Sequence, residues 1–195
     1  MTNDGSQAKD AGGAKAARPR AQWQSWVVGI SVGVILSIVV VLSSGFMVEA
    51  TNTDSFCIEC HAMEPFRTSW KKSVHGGKNP QGFTAQCVDC HLPHGNFVEY
   101  LTAKAITGTG DVIANIGFEP AKFDWAANAE KREHFTYDSA CHWCHEDLIP
   151  PGMSSGGMSA HREYMIGATE KKCASCHPHV GHKDMLLEVQ RCFSE

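Results

Sequence analysis

The sequence has no block of lysine and arginine: 17 basic residues are scattered among 21 acidic ones, for a formal charge of −4. That argues against nucleic acid as a partner, because such binding relies on clustered basic side chains. Charge is missing altogether from residues 26–48, WVVGISVGVILSIVVVLSSGFMV, which run for 23 positions. At about 1.5 Å per residue, a helix of that length crosses a bilayer core of about 30 Å. The competing reading is a cleaved signal peptide, whose apolar region is usually about 7–15 residues. Ser43, Ser44, Gly45 and Ala50 resemble a cleavage site, but the length of the run favours an uncleaved anchor. Residues 1–22 are rich in Ala, Gly and Lys with little to bury, so a disordered cytoplasmic tail is expected there.

Lys9, Lys15, Arg18 and Arg20 precede the span, which by the positive-inside rule keeps the N-terminus in the cytoplasm. Trp23 and Trp26 fit an interfacial anchor. Everything after residue 48 then lies across the membrane, on the periplasmic side of a bacterial inner membrane crossed once. Gly29 and Gly33, with Ser37 four residues on, form a small-residue pattern that suits a homodimer or larger complex or is incidental.

Cysteine, by contrast, is plentiful, and eight of the nine fall in four CxxCH motifs. These are Cys57/Cys60/His61, Cys87/Cys90/His91, Cys141/Cys144/His145 and Cys173/Cys176/His177. This composition yields roughly 0.02 such motifs by chance, so four are a signal. Zinc sites and disulfides also use Cys-x-x-Cys pairs, but neither requires a histidine directly after each second cysteine. Covalent c-type haem does, since two thioethers hold the porphyrin and the adjacent imidazole meets the iron. Four haem c groups are expected, with Cys57 and Cys60 holding the first as the later pairs hold theirs. Attachment takes place outside the cytoplasm in bacteria, which agrees with the charge-derived sidedness.

The motif spacing is paired: 30 residues from Cys57 to Cys87, 54 to Cys141, and 32 to Cys173. This predicts two di-haem modules, 49–115 and 141–195, joined by a connector at 116–140 and preceded by an anchor helix at 23–48. His75 lies 12 residues before Cys87 and His161 lies 12 before Cys173, a repeat that marks both as distal iron ligands. Seven histidines lie outside the motifs. Of the remainder, His182 is favoured as a further ligand over His94 and His179. His134 and His142 read as surface or propionate partners.

Regular structure is thin, and the fold class is mainly α with much irregular chain wrapped around haem. Asn96–Ile116 and Lys122–His134 look helical, and Pro150–Gly157 looks like a loop. Met63 sits two residues after His61, in a place where the other motifs have no methionine. A thioether favours reduced iron and would raise that haem's potential, leaving the opposite face open if it displaced His61. The residues alone leave Met63 equally readable as a packing side chain with His61 on the iron.

One membrane helix followed by four CxxCH motifs, with CxxCHxM first, resembles the NapC/NirT family of tetrahaem quinol dehydrogenases over about residues 24–185. The likeness is greatest to the branch that feeds a multihaem nitrite reductase. That branch has a Lys-Ala-Ile-x-Gly-x-x-Asp segment, present here from Lys104 to Asp111. The resemblance implies that Lys104 lies in a quinol pocket, that Asp111 lies over the open face of the first haem, and that Met63 is that haem's ligand. Quinol oxidation releases two protons with its two electrons, so a base such as Asp111 and a donor such as Lys104 suit the chemistry. His161 is a departure from that branch, where a partner subunit can complete a haem, and it leaves the partner open.

The expected function is oxidation of menaquinol or ubiquinol, with electrons passed to a periplasmic reductase, either a multihaem nitrite reductase or a nitrate reductase. The rivals are an electron carrier without its own quinol site, a haem that reduces an oxyanion directly, and reversed flow into the quinone pool. Cys192 belongs to no motif.

Overall fold

The computed structural model describes residues 19–193, whose regular structure is helical. The chain divides into two units, the first ending at Met47 and the second starting at Val48. α1, Pro19–Ala50, supplies the regular structure of the first and runs three residues into the second. Val28, Ile30, Leu36, Val41 and Leu42 on it are all more than half exposed. A helix that is apolar all round has no polar face for water, and α1 is long and apolar enough to cross a membrane. The tail expected at 1–22 lies outside the described residues as far as residue 18, and from Pro19 the chain is already helical.

The second unit is built from short helices. They are α2 (Asp54–Cys57), α3 (Glu64–Lys71), α4 (Val88–His91), α5 (Phe97–Asn115), α6 (Trp125–Glu130), α7 (Asp138–Cys144), α8 (Ser155–Met165), α9 (Cys173–Cys176) and α10 (Met185–Phe193). Among the described residues there is no strand, only an isolated bridge between Gly76 and Thr84. α5 is the long element, with Asn96 as its cap: the Asn96 side chain accepts the Glu99 N–H at 2.9 Å.

The connector departs from its sequence pattern. Lys122–His134 was expected as one helix, but only Trp125–Glu130 is α-helical, flanked by 3₁₀ turns at Pro120–Lys122 and Arg132–His134. Asp124 starts the helix by accepting from the Ala127 N–H at 2.9 Å, and the Trp125 indole N–H ties back to the Pro120 carbonyl at 2.9 Å. That hook draws Trp125 into a ring cluster with Phe66, Phe118, Phe123 and Phe193, which outweighs the helical preference of the flanking alanines and charged residues. The loop at Pro150 is shorter than expected, because Ser154 caps α8 and draws Gly157 into its first turn.

The side-chain core is small. The buried apolar residues are Ala62, Ala85, Leu92, Ala140 and Val189, along with the prolines Pro65 and Pro93. α10 packs against α3, held by a Lys72–Glu188 ion pair at 2.6 Å and by the Lys183 N–H donating to the Ser69 carbonyl at 3.2 Å. Asp184 takes a left-handed φ of 56° to turn the chain into α10, a conformation that Asp tolerates better than most residues.

Candidate haem ligands and redox site

The last three CxxCH motifs each occupy about one helical turn, which puts two thiols three residues apart on one side with the histidine at the end. The turn closes onto the first cysteine: His91, His145 and His177 donate their backbone N–H to Cys87, Cys141 and Cys173 at 3.1, 2.9 and 2.9 Å.

The first motif is shaped differently. α2 ends at Cys57, and Cys60 is not helical: it takes an extended conformation, φ −80° and ψ 120°, as the cap of the 3₁₀ turn His61–Met63. Its carbonyl accepts the Met63 N–H at 2.9 Å. α3 starts afresh after the motif, with Pro65 in its first turn, where the missing N–H costs nothing. The helical turn that sets the other thiol pairs side by side is therefore missing between Cys57 and Cys60.

The motifs adjoin one another. The Cys57 and Cys87 thiols are within hydrogen-bonding reach, as are those of Cys141 and Cys173. α4 packs on α7, with Cys90 and Cys144 close enough for their charges to interact. Motif one therefore touches two, two touches three, and three touches four. The first contact runs through Cys57.

Three motif histidines face a second imidazole from elsewhere in the chain. Ring centres are 6.1 Å apart for His91 and His182, 6.1 Å for His75 and His145, and 6.0 Å for His161 and His177. Two imidazoles binding one metal from opposite sides at about 2 Å each would have centres about 6–6.5 Å apart. The tautomers agree. The Nδ1–H groups of His75 and His91 donate to the carbonyls of Val180 at 3.0 Å and Phe135 at 2.7 Å, and that of His161 donates to Leu148. His182 Nδ1 meets the Phe66 carbonyl at 3.1 Å and the Ser69 hydroxyl at 2.9 Å. Each arrangement leaves Nε2 as the lone-pair nitrogen, the form that ligates a metal. Burial, helped by the nearby His91, pushes His182 down to about 4, so it is neutral at neutral pH. The histidine geometry fits haem iron.

The first motif differs here too. No imidazole ring faces His61 among the described residues. Met63 ends the short turn His61–Met63 and is 37% exposed. Of the other histidines, His94 lies between the rings of Tyr100 and Trp143, with its Nε2 unpartnered. His142 Nε2 is taken by the Tyr164 hydroxyl at 2.9 Å. His134 lies in the 3₁₀ turn after α6, and His179 is exposed.

Lys104 and Asp111 share one face of α5, seven residues apart. The Lys104 ammonium donates to the Thr51 carbonyl at 3.0 Å and to Asn52 Oδ1 at 2.6 Å. The Tyr100 hydroxyl donates to the same Asn52 oxygen at 2.6 Å. Partial burial lowers Lys104, and the Cys57 side chain partly offsets this. Partial burial raises Asp111 above the ordinary carboxylate range, and His91 pulls it back. Asp111 also senses Cys57, so this face of α5 lies beside the first two motifs. The opposite face carries exposed Ile106 and Ile113, with exposed Val112 on its flank and Ile116 just past the helix end. Sequence reasoning missed Asn52 and Tyr100. Tyr100 was legible, four residues before Lys104 on the same helical face. Asn52 was not, because it reaches the site from the turn after α1.

The model of the NapC/NirT cytochrome c family, N-terminal region, matches residues 19–186. The chain is 31% identical over 178 residues to the tetraheme c-type cytochrome CymA of Shewanella oneidensis, a match covering 85% of this chain and 94% of CymA. It is 26% identical over 190 residues to the cytochrome c-type protein TorC of Escherichia coli, covering 91% of this chain but 47% of TorC, so the chain spans about half the length of that relative. Among solved structures it resembles the cytochrome c nitrite reductase NrfHA complex bound to the HQNO inhibitor. That match has a TM-score of 0.53 at 28% identity and covers 80% of this chain and 91% of that one. The chain belongs to the NapC/NirT cytochrome c family, as a membrane-anchored c-type cytochrome that carries four covalent haems.

Proposed function

We propose that this protein oxidises menaquinol or ubiquinol and delivers the electrons to a periplasmic reductase, a cytochrome c nitrite reductase or a nitrate reductase. The observation that carries this reading is the α5 face, where Lys104 and Asp111 stand together beside the first two haem motifs. Lys104 offers a hydrogen-bond donor to a quinol oxygen. Asp111, with its proton affinity raised by burial, takes a quinol proton as the electrons leave. The exposed apolar side of α5 suits approach by a lipid-soluble reductant. Bound haem supplies one-electron acceptance and transfer.

The cysteine pairs Cys57/Cys60, Cys87/Cys90, Cys141/Cys144 and Cys173/Cys176 are assigned to thioether attachment. For Cys60 the assignment rests on the CxxCH spacing, since the helical turn that supports the other three pairs is absent there. On the irons, His91 is paired with His182, His145 with His75, and His177 with His161, a set supported by the three ring separations. The first iron is assigned to Met63, with His61 as the alternative. In this scheme the modules interlock, since His75 from the first half serves the third motif and His182 from the second half serves the second. The basic residues before the span support a haem unit on the periplasmic side. The NrfHA likeness favours a nitrite reductase as partner, while His161 fits a chain that completes its own ligand sets.

The test is stopped-flow haem reduction of the detergent-solubilised protein by a menaquinol analogue, with no partner present. Fast reduction that Asp111→Asn slows at least tenfold is expected. Haems that dithionite reduces but quinol does not would instead favour a plain electron carrier.

A further inference from the structure

Two donors converge on the Asn52 side-chain oxygen: the Lys104 ammonium at 2.6 Å and the Tyr100 hydroxyl at 2.6 Å. Both therefore lie within 2.6 Å of one atom and no more than about 5.2 Å from each other, twice that distance. A ligand oxygen placed across from Asn52 can reach both at ordinary hydrogen-bond length, about 2.8 Å each. All three residues are half-buried, so the pair is fixed yet open to a ligand.

Their remaining hydrogen-bonding capacity is asymmetric. Lys104 has three N–H groups and spends two, on Thr51 and Asn52, leaving one donor. Tyr100 spends its single O–H on Asn52, leaving only acceptor capacity on its oxygen. One donor beside one acceptor matches a hydroxyl, which accepts and donates. It does not match a carbonyl, which only accepts and would leave the Tyr100 oxygen unpaired.

We infer that Tyr100, Asn52 and Lys104 form a reader of the hydroquinone hydroxyl, with Asn52 as the positioning residue, so that the site holds quinol in preference to quinone. The inference rests on the quinol site proposed above and adds to it the basis for telling substrate from product. Asn52 is well suited to this role. As an acceptor shared by two donors, it forces Tyr100 to point its proton inward and keep its lone pairs for the ligand. Weak retention of quinone follows, which favours release of the oxidised ring.

The test uses redox-silent probes on the oxidised tetrahaem protein, so that binding is measured without turnover. Naphthol presents a ring hydroxyl, and its methyl ether presents the same ring with an acceptor only. Their dissociation constants are compared in wild type, Tyr100→Phe, Asn52→Ala and Asn52→Asp, each checked for four haems by pyridine haemochrome. Wild type is expected to favour naphthol over the ether by about threefold to tenfold, the strength of one hydrogen bond. Tyr100→Phe removes the preference and leaves ether binding unchanged. Asn52→Ala weakens both probes, and Asn52→Asp, which keeps the acceptor, restores the preference. The same preference in wild type and Tyr100→Phe, or none in wild type, overturns the inference. Lys104→Ala separates this result from the parent reading: if it leaves the Michaelis constant for quinol unchanged, the quinol site itself is wrong, whatever the probes show.

Discussion

Met63 and Gly76 are the single positions with most at stake. If Met63 ligates the first iron as proposed, its thioether holds that potential above those of imidazole-paired irons. Met63→His is therefore expected to lower the midpoint of one haem in four and leave the other three in place, as read by spectropotentiometric titration. If all four midpoints stay fixed, Met63 is a packing residue. Gly76 adjoins His75, and a Cβ there would lie 1.8 Å from the Trp70 carbonyl oxygen. That is backbone and cannot swing away, so Gly76→Ala must shift the loop that carries His75. The expected result is a loss of at least about 2 kcal/mol in stability with one haem turning high-spin, measured by thermal unfolding and visible spectra. His75 and His161 show how far the sequence could be read. Their equal spacing from the next motif marked both, and both face a motif imidazole. The spacing does not say which motif each one faces: His161 faces the histidine of the motif it precedes, while His75 crosses to the third motif. Partner choice is set by tertiary packing, which local spacing does not encode. Cys60 makes the same point about conformation: identical CxxCH spacing gives a helical turn three times and an extended residue once.

Among the elements, the α3–α10 clasp carries the second motif's facing imidazole. His182 lies in the turn just before α10 and is held to Ser69 and Phe66 of α3. Lys72 and Glu188 close the same pair of helices. The hydrogen bond from Lys72 holds the Glu188 carboxyl below its ordinary value of 4.5, and Arg191 at 3.1 Å adds to this. A carboxyl that is more acidic in the folded state adds stability above about pH 4.5, and that stability fades as pH falls through the lower folded value. Glu188→Gln is therefore expected to be less stable than wild type near neutral pH and to show a flatter loss below about pH 4.5, as followed by denaturant titration across pH. Parallel curves would mean that the pair contributes nothing to the clasp. α5 was legible to within a residue at each end, because an apolar stripe runs through it despite Gly108 and Gly110. The connector was not, because one indole hooked onto a carbonyl outweighed six or more residues of weak helical preference.

For the molecule as a whole, the issue is what the second unit has for a core. Apart from Pro65 and Pro93, Leu92 and Val189 are its only buried aliphatic side chains larger than alanine among the described residues. They are far too few to offset the entropy lost on ordering the unit. The ring cluster around Trp125 adds one further patch, at the α3–α10 end. Exposed Phe56, Phe83, Phe97, Phe135 and Trp143 are spread over the rest of the unit, a pattern that suits large flat apolar groups held between chain segments. If the three facing imidazole pairs share irons as proposed, haem attachment is part of folding as well as of redox chemistry and is cooperative, because two of the pairs tie one half of the unit to the other. Removing the attachment cysteines should therefore act unevenly. On the ligand assignment proposed above, Cys87→Ser/Cys90→Ser loosens the haem assigned to His91 and His182 and with it the α3–α10 clasp. Cys57→Ser/Cys60→Ser affects a motif that no distant histidine faces. The first pair of substitutions is expected to abolish accumulation of membrane-bound protein, and the second to leave a trihaem protein at reduced yield, as judged by haem staining and immunoblot of membranes. Equal losses from both would mean that the facing histidines contribute no long-range stability, and the interlocked ligand scheme would have to be withdrawn.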